Sequence, residues 1–335
     1  MRAAVITASS APLELREMPI PEPGAHQVLV RMEACGICHV DVEIACGDWP
    51  AQPALPLISG HEGVGIVEQV GEGVAASRLG RRVALPWLCR ACGECGFCLS
   101  GWMVLCESQR NTGHRIGGGH AEYAVADARH AVPVPDGVPP LEAAPLTCAG
   151  VTGYKAVRAG RVGPADRVAV FGVGGPGHLA IQYARHAGGF VTAVDVEAGM
   201  LDLARELGAE QVIDARTRDP AAVIQAQGGA DVAIALTAVP SAHEHALRSL
   251  RHGGRLVCAR PPGGAIPDPV FEAVTRGITM VGSVVGTRED LVEVFALHAA
   301  GHTVVTVEPR KLEEINEAFA DILADGARAH LAIEY

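Results

Sequence analysis

Residues 36–50 read GICHVDVEIACGDWP. Cys38 and Asp41 are residue types of metal centres: a thiolate binds a borderline-soft divalent ion, and a carboxylate joins it or orients a neighbouring ligand. Further along, His61 and Glu62 stand in SGHEGVG and Cys148 in PLTCAGVT. Two sulfurs and one imidazole leave a fourth position for water or substrate, as catalytic zinc requires. Spacing alone does not define this set, because a lone His61 also suits a structural role and Cys148 a small buried apolar one.

A denser set follows in CGECGFCLSGWMVLC, where Cys92, Cys95, Cys98 and Cys106 are spaced Cys-x2-Cys-x2-Cys-x7-Cys. Four thiolates so close can close a tetrahedral zinc site with no open position, which orders a lobe and does no chemistry. An iron–sulfur cluster is the rival occupant, and nearby Cys89 keeps it open.

The third candidate is VAVFGVGGPGHL, where Gly172, Gly174 and Gly177 fit G-x-G-x-x-G between an apolar strand and a helix. The first glycine permits the tight turn, the second lets backbone approach a pyrophosphate, and the third lets helix and strand pack closely. Together with Gly175 they open a helix whose N-terminus favours negative charge. The next strand, FVTAVDV, ends at Asp195, an acid suited to accepting hydrogen bonds from ribose hydroxyls and to repelling a 2′-phosphate. Glu197 adds repulsion, and no Arg follows closely in sequence, so the pattern reads as NAD rather than NADP.

These residues need elements to hold them. The first 150 residues are rich in Gly and Pro, with β-branched runs such as HQVLVRMEA, GVGIVEQV and RRVALPW, and predict an irregular β-rich domain. From about residue 165, RVAVFGV, FVTAVDV, QVIDA, DVAIALT, RLVCA and ITMVGSV read as strands. HLAIQYARHAG, GMLDLARELGA and SAHEHALRSLRHG read as intervening helices, and the alternation predicts a parallel, doubly wound sheet. LVEVFALHAAG and KLEEINEAFADILADG then predict helices and HLAIEY a last strand.

Composition narrows the function classes. The chain has 335 residues, half of them apolar, which suits two domains. Its 27 Lys and Arg against 38 Asp and Glu leave a net charge of −11 with no basic run, which argues against nucleic acid. No uninterrupted apolar stretch reaches membrane-spanning length. The apolar start is too short for a signal peptide, so a cytoplasmic protein is expected. In that setting ten cysteines read as metal ligands or reactive thiols, not as a disulfide framework.

GICHVD, GDWP, GHEGVG, the four-cysteine run, PLTCAGVT, GVGGPGH, AVDV and SVVGTRED occur in this order over nearly the whole chain. With them the chain resembles the zinc-dependent alcohol dehydrogenases of the medium-chain dehydrogenase/reductase superfamily, especially the bacterial tetrameric group. The resemblance implies an α/β protein with a β-rich GroES-like catalytic domain, 1–151 and 288–335, and a doubly wound Rossmann domain, 152–287. The active site is expected in the cleft between them. It implies two zinc ions per chain and NAD, a small-molecule substrate, and assembly into a dimer or tetramer. Cys38, His61 and Cys148 match catalytic zinc ligands, Glu62 a carboxylate that exchanges with water on the metal, and Asp41 the acid that orients His61. His39 and Arg288 match contacts to the cofactor phosphates and Thr152 a neighbour of the nicotinamide. Trp49 and Trp87 match pocket-lining positions that ordinary core packing explains equally well.

The chain also departs from that pattern. In the family the proton leaves through a Ser or Thr two residues after the first zinc cysteine, then a cofactor ribose hydroxyl, then a His. Here these positions hold Val40 and Glu43, and Val neither donates nor accepts a hydrogen bond. Alcohol oxidation by another proton route, reduction of an imine, iminium or activated C=C, and a non-catalytic zinc- and nucleotide-binding role are the alternatives; so is tolerated drift at both positions. Arg260 replaces a small residue usual beside the nicotinamide, and Met200 a base usual after the ribose acid. A cofactor-contacting Arg is not evident in GARAHLAIEY.

Overall fold

A computed structural model describes residues 1–49, 51–266, 269–324 and 330–335. Pro50 of GDWP and residues 325–329, which include Arg328 of GARAHLAIEY, lie outside the described residues. The chain divides into two compact units: residues 1–148, 287–300 and 305–335 form one, and 149–286 with 301–304 the other.

The first unit is built on a seven-stranded sheet. Its path runs Val132–Pro133, Arg82–Leu85, Glu62–Val70, Gln27–Ile37, His330–Glu334, Val307–Arg310, and Tyr123–Asp127 also pairs with Gln27–Ile37. Alternation within QVLVRMEACGI buries Val28, Val30, Met32 and Ala34, so the longest strand sits at the centre. The C-terminal strand inserts antiparallel beside it, pairing Ala332 with Gly36 and Ile333 with Cys35. Leu331 and Ile333 then pack with Ile37, Val42, Ile44, Ile315 and Phe319 in one cluster. KLEEINEAFADILADG is not one helix. A short 3-10 turn, Leu312–Glu314, precedes the helix Ile315–Leu323, and Glu314 closes a capping box with the Lys311 backbone.

The second unit carries a six-stranded parallel sheet in the order Gln211–Asp214, Phe190–Asp195, Arg167–Phe171, Ala230–Ala235, Leu250–Cys258, Thr279–Gly282. By sequence the order is 3-2-1-4-5-6, the doubly wound arrangement, with its switch point between the Arg167–Phe171 and Ala230–Ala235 strands. Helices Gly175–His186, Ala198–Glu206 and Pro240–Ser249 occupy three of the predicted crossovers. The last is shorter than SAHEHALRSLRHG suggests. Leu250 already pairs with Ala230, so the buried sheet edge claims the residues that helical periodicity extended into. Among the described residues no helix is long and apolar enough to cross a membrane.

Ile333 is fully buried on the strand that carries His330. Ile333→Ala should lower unfolding stability by about 2–5 kcal/mol, the usual cost of truncating a buried Ile, seen as a lower urea midpoint. An unchanged midpoint would contradict this packing.

Candidate active site and zinc lobe

The first unit gathers Cys38, His61, Glu62 and Cys148, with one ligand atom from each within 4.8 Å of all the others. Each reaches the cluster differently. Cys38 is the N-cap of helix His39–Cys46, at the end of the central strand. His61 and Glu62 lead into the neighbouring strand Glu62–Val70. Cys148 lies in a π-helical turn, Leu146–Gly150, a local widening often found at functional sites.

Asp41 ties these pieces together. Its carboxylate, 0% exposed, accepts from the Cys38 N–H at 3.0 Å and the Gly60 N–H at 3.0 Å, and faces His61 Nδ1 at 3.0 Å. Burial works to raise its pKa, but His61, with help from His120 and the Cys38 N–H, outweighs it and holds the carboxyl below its ordinary value. Burial also opposes charge on His61, and Asp41 raises that imidazole well above its usual range. With Nδ1 held, Nε2 points at the donor set, 3.3 Å from Cys148 Sγ. The Cys38 thiol is pushed well down, first by a hydrogen bond from Cys148, against burial and with help from His61.

Glu62 is fully buried, with Oε1 lacking any hydrogen-bond partner among the described residues. Its Oε2 meets His330 Nε2 at 2.5 Å. Burial raises the Glu62 carboxyl; it opposes charge on His330, which Glu62 nonetheless raises. His330 was not singled out in the sequence, because no local motif links residue 330 to residue 62; only the insertion of the last strand does.

Two thiols, an imidazole and an orphaned buried carboxylate oxygen form the donor set of a zinc centre, so the residues fit that metal. Trp87 closes one side, edge-on to His61 with ring centroids 5.2 Å apart, and Trp49 sits edge-on to Trp87 at 5.9 Å. Val40 is half-buried against the apolar cluster, and Glu43, one turn later on the same helix, is half-buried as well.

The four-cysteine run forms its own lobe. Cys92, Cys95, Cys98 and Cys106 also bring their sulfurs within 4.8 Å, with Cys92 Sγ 3.6 Å from Cys106 Sγ and 3.8 Å from Cys98 Sγ. A tetrahedron of Zn–S bonds of about 2.3 Å has S–S edges of about 3.8 Å, so the spacing fits. Backbone N–H groups of Glu94 and Cys95 aim at Cys92 and lower its thiol to about 6, favouring the thiolate. The lobe's apolar core is small, essentially Leu88, Ala91, Val104 and Cys106.

In the second unit, Gly172 has φ +90°, and a Cβ on Gly177 would lie 1.9 Å from the Gly172 carbonyl oxygen. A Cβ on Gly174 would meet nothing within 4 Å, leaving that backbone face clear. Asp195 Oδ2 accepts from the Val173 N–H at 2.7 Å, and Oδ1 from the N–H groups of Val196 and Glu197. The acid therefore also braces the glycine-rich turn. One expectation needs correction. No Arg follows Asp195 closely in sequence, but Arg216 comes alongside from the next strand, paired with Asp214 at 3.2 Å and 4.0 Å from Glu197. Parallel pairing puts the ends of adjacent strands side by side. Of the remaining candidates, His39 is exposed on the first helix, Thr152 is half-buried in Val151–Gly160, and Arg288 donates to the Arg129 carbonyl.

Comparison with known proteins agrees with this construction. The alcohol dehydrogenase GroES-like domain family matches residues 24–136 and the zinc-binding dehydrogenase family residues 175–313. An alcohol dehydrogenase of Geobacillus stearothermophilus is 45% identical over 96% of both chains, and one of Moraxella sp. (strain TAE123) is 43% identical over 100% of this chain and 99% of its own. The solved alcohol dehydrogenase of the archaeon Aeropyrum pernix superposes over 100% of both chains with a TM-score of 0.93 at 32% identity. Acetophenone reductase of Geotrichum candidum, solved with NAD, superposes with a TM-score of 0.90 at 30% identity over 100% of this chain and 97% of its own. The chain belongs to the zinc-type alcohol dehydrogenases of the medium-chain dehydrogenase/reductase superfamily, and it is an oxidoreductase. Neither the imine or C=C reductase reading nor the non-catalytic one is favoured by these relatives.

Because the cysteine lobe has so little apolar core, a bound metal should contribute much of its order. Cys95→Ser should lower the thermal midpoint of the purified protein and halve its zinc content. Retained stability with full zinc would contradict a structural site there.

Proposed function

We propose that this chain interconverts an alcohol and an aldehyde or ketone with NAD(H), using one zinc held by Cys38, His61 and Cys148, with Glu62 exchanging against water at the fourth position, and a second, structural one in the cysteine lobe. The observation that carries the reading is the convergence of four donors on one buried cluster with Asp41 locked behind His61. When bound, zinc supplies Lewis-acid polarisation of a substrate oxygen and NAD accepts or returns a hydride. The catalytic part comprises 1–151 and 288–335, and the NAD-binding part 152–287.

The chain's own residues do the rest. Asp41 keeps the His61 ring turned so that Nε2 faces the donors. Trp49 and Trp87 line the substrate side with apolar surface. The turn Gly172–Gly177 leaves backbone room for a pyrophosphate at a helix start. Asp195 and Glu197 select a ribose without a 2′-phosphate, and Arg216 is held by acids on both sides. Val40 takes no part in proton transfer, so the proton leaves through water or Glu43.

Copies of this chain associate, as the edge strand Thr279–Gly282 and the exposed Val270, Phe271, Val274 and Met280 near it support. Ten unpaired cysteines support a reducing, cytoplasmic setting.

Metal analysis should give about two zinc per chain, as two four-donor sites require; one zinc, or iron with visible absorbance, would contradict the assignment. Calorimetric titration should show NAD bound at least about tenfold more tightly than NADP, given the carboxylates at the ribose position. Tighter NADP binding would overturn that choice. Val40→Thr with Glu43→His should speed alcohol oxidation at neutral pH at least about tenfold, a conservative share of a proton-transfer contribution. A wild type that is already as fast would show a complete alternative route. Reduction of an imine or enal without alcohol turnover would replace the alcohol reading.

A further inference from the structure

The Glu62 carboxylate does not sit in its own strand's space. Glu62 pairs with Gly36 on the central strand, and Gly36 pairs on its other side with Ala332 of the last strand. The three residues form one row across the sheet. A Cβ at position 36 would lie 1.8 Å from Glu62 Oε2. Only glycine lets the carboxylate lie over the middle strand and reach the far one. There it meets His330, two residues before Ala332 and therefore on the same face of its strand. Both side chains are buried, His330 7% and Glu62 0% exposed. One oxygen is thus engaged and the other, Oε1, has no partner among the described residues.

We propose that His330 is a positioning residue that clasps Glu62 by Oε2 across Gly36 and so restrains the carboxylate from entering fully among the metal donors. This deepens the reading of Cys38, His61 and Cys148 as a zinc site and rests on it. A carboxylate held by a ring N–H is a weaker donor, and swinging inward requires giving that bond up. A hydrogen bond to a charged group shifts such an equilibrium about tenfold or more. Without the clasp, Glu62 occupies the fourth position more of the time and competes with the substrate.

The test uses the zinc-loaded, full-length protein and four variants. His330→Asn is too short to reach Glu62, His330→Phe keeps the ring volume without an N–H, His330→Gln keeps a donor at similar reach, and Glu62→Gln removes the clasped group. Zinc release to 4-(2-pyridylazo)resorcinol is followed beside alcohol oxidation. The release phase lost in Cys38→Ser belongs to this site.

His330→Asn and His330→Phe should each raise the KM for alcohol about fivefold or more with a smaller change in kcat, and slow that release phase by a similar factor, as loss of a charge-assisted bond predicts. His330→Gln should return both toward wild type. In the Glu62→Gln background His330→Asn should add no further effect, since the two groups act as a pair.

Unchanged KM and release in whichever of the Asn and Phe variants folds, faster release, or an equal effect in the Glu62→Gln background would overturn the proposal. Wild type that holds zinc but oxidises no alcohol defeats the reading of the reaction, and the release rates still judge His330. Wild type that takes up no zinc overturns both.

Discussion

A carboxylate buried without water is stable only where donors surround it, and Asp41 meets that condition with two backbone N–H groups and one imidazole. The requirement works in both directions. The donors come from two distant pieces of chain: the helix start at Cys38, and the turn at Gly60 that leads through His61 into the next strand. Satisfying the charge therefore assembles half of the donor set. Asp41 also completes the capping box of its own helix, so one carboxylate serves both elements: Oδ2 takes the Cys38 N–H while Oδ1 faces His61. Loss of this one carboxylate would leave a helix start uncapped and an imidazole free to turn.

The sheet places a further donor, Glu62. Its centre brings strands distant in sequence into one row, so a carboxylate at position 62, a glycine at 36 and a histidine at 330 become neighbours. Such an arrangement is costly to build from local contacts and cheap to build from strand register, because pairing one residue correctly places every alternate side chain on the same face. The same economy governs the parallel sheet of the other unit. There Asp195 and Arg216 approach because consecutive strands end side by side, and Asp195 braces the glycine turn that precedes it in the chain.

The donors, the acid behind His61 and the glycine turn keep the pattern of the zinc-type alcohol dehydrogenases. At two helix positions beside them stand Val40 and Glu43. Val40 packs against the apolar cluster beneath the site, a contact that a hydroxyl-bearing residue of equal shape would make with one polar atom to satisfy. Val40 therefore offers packing and no hydrogen bond at this position.

The four-cysteine lobe, the glycine turn after an apolar strand, and the alternation of strand and helix from about residue 165 were all legible in the sequence. Each depends on residues close together in the chain, where spacing and period translate directly into geometry. The grouping of Cys38, His61 and Cys148 was legible only through the family pattern, since nothing local joins residue 38 to residue 148. The single helix read over 311–326 was divided because a capping interaction at Lys311 outweighs continuous helical periodicity, and the helix read past Ser249 was shortened because Leu250 enters the sheet. His330 and Arg216 escaped the sequence altogether. One depends on which strand fills the slot beside Gln27–Ile37, the other on the order of parallel strands, and both are decided by burial of whole strand faces. Residue types and short spacings determined what chemistry this protein carries. Long-range strand pairing, driven by that burial, decided which charged side chains restrain it.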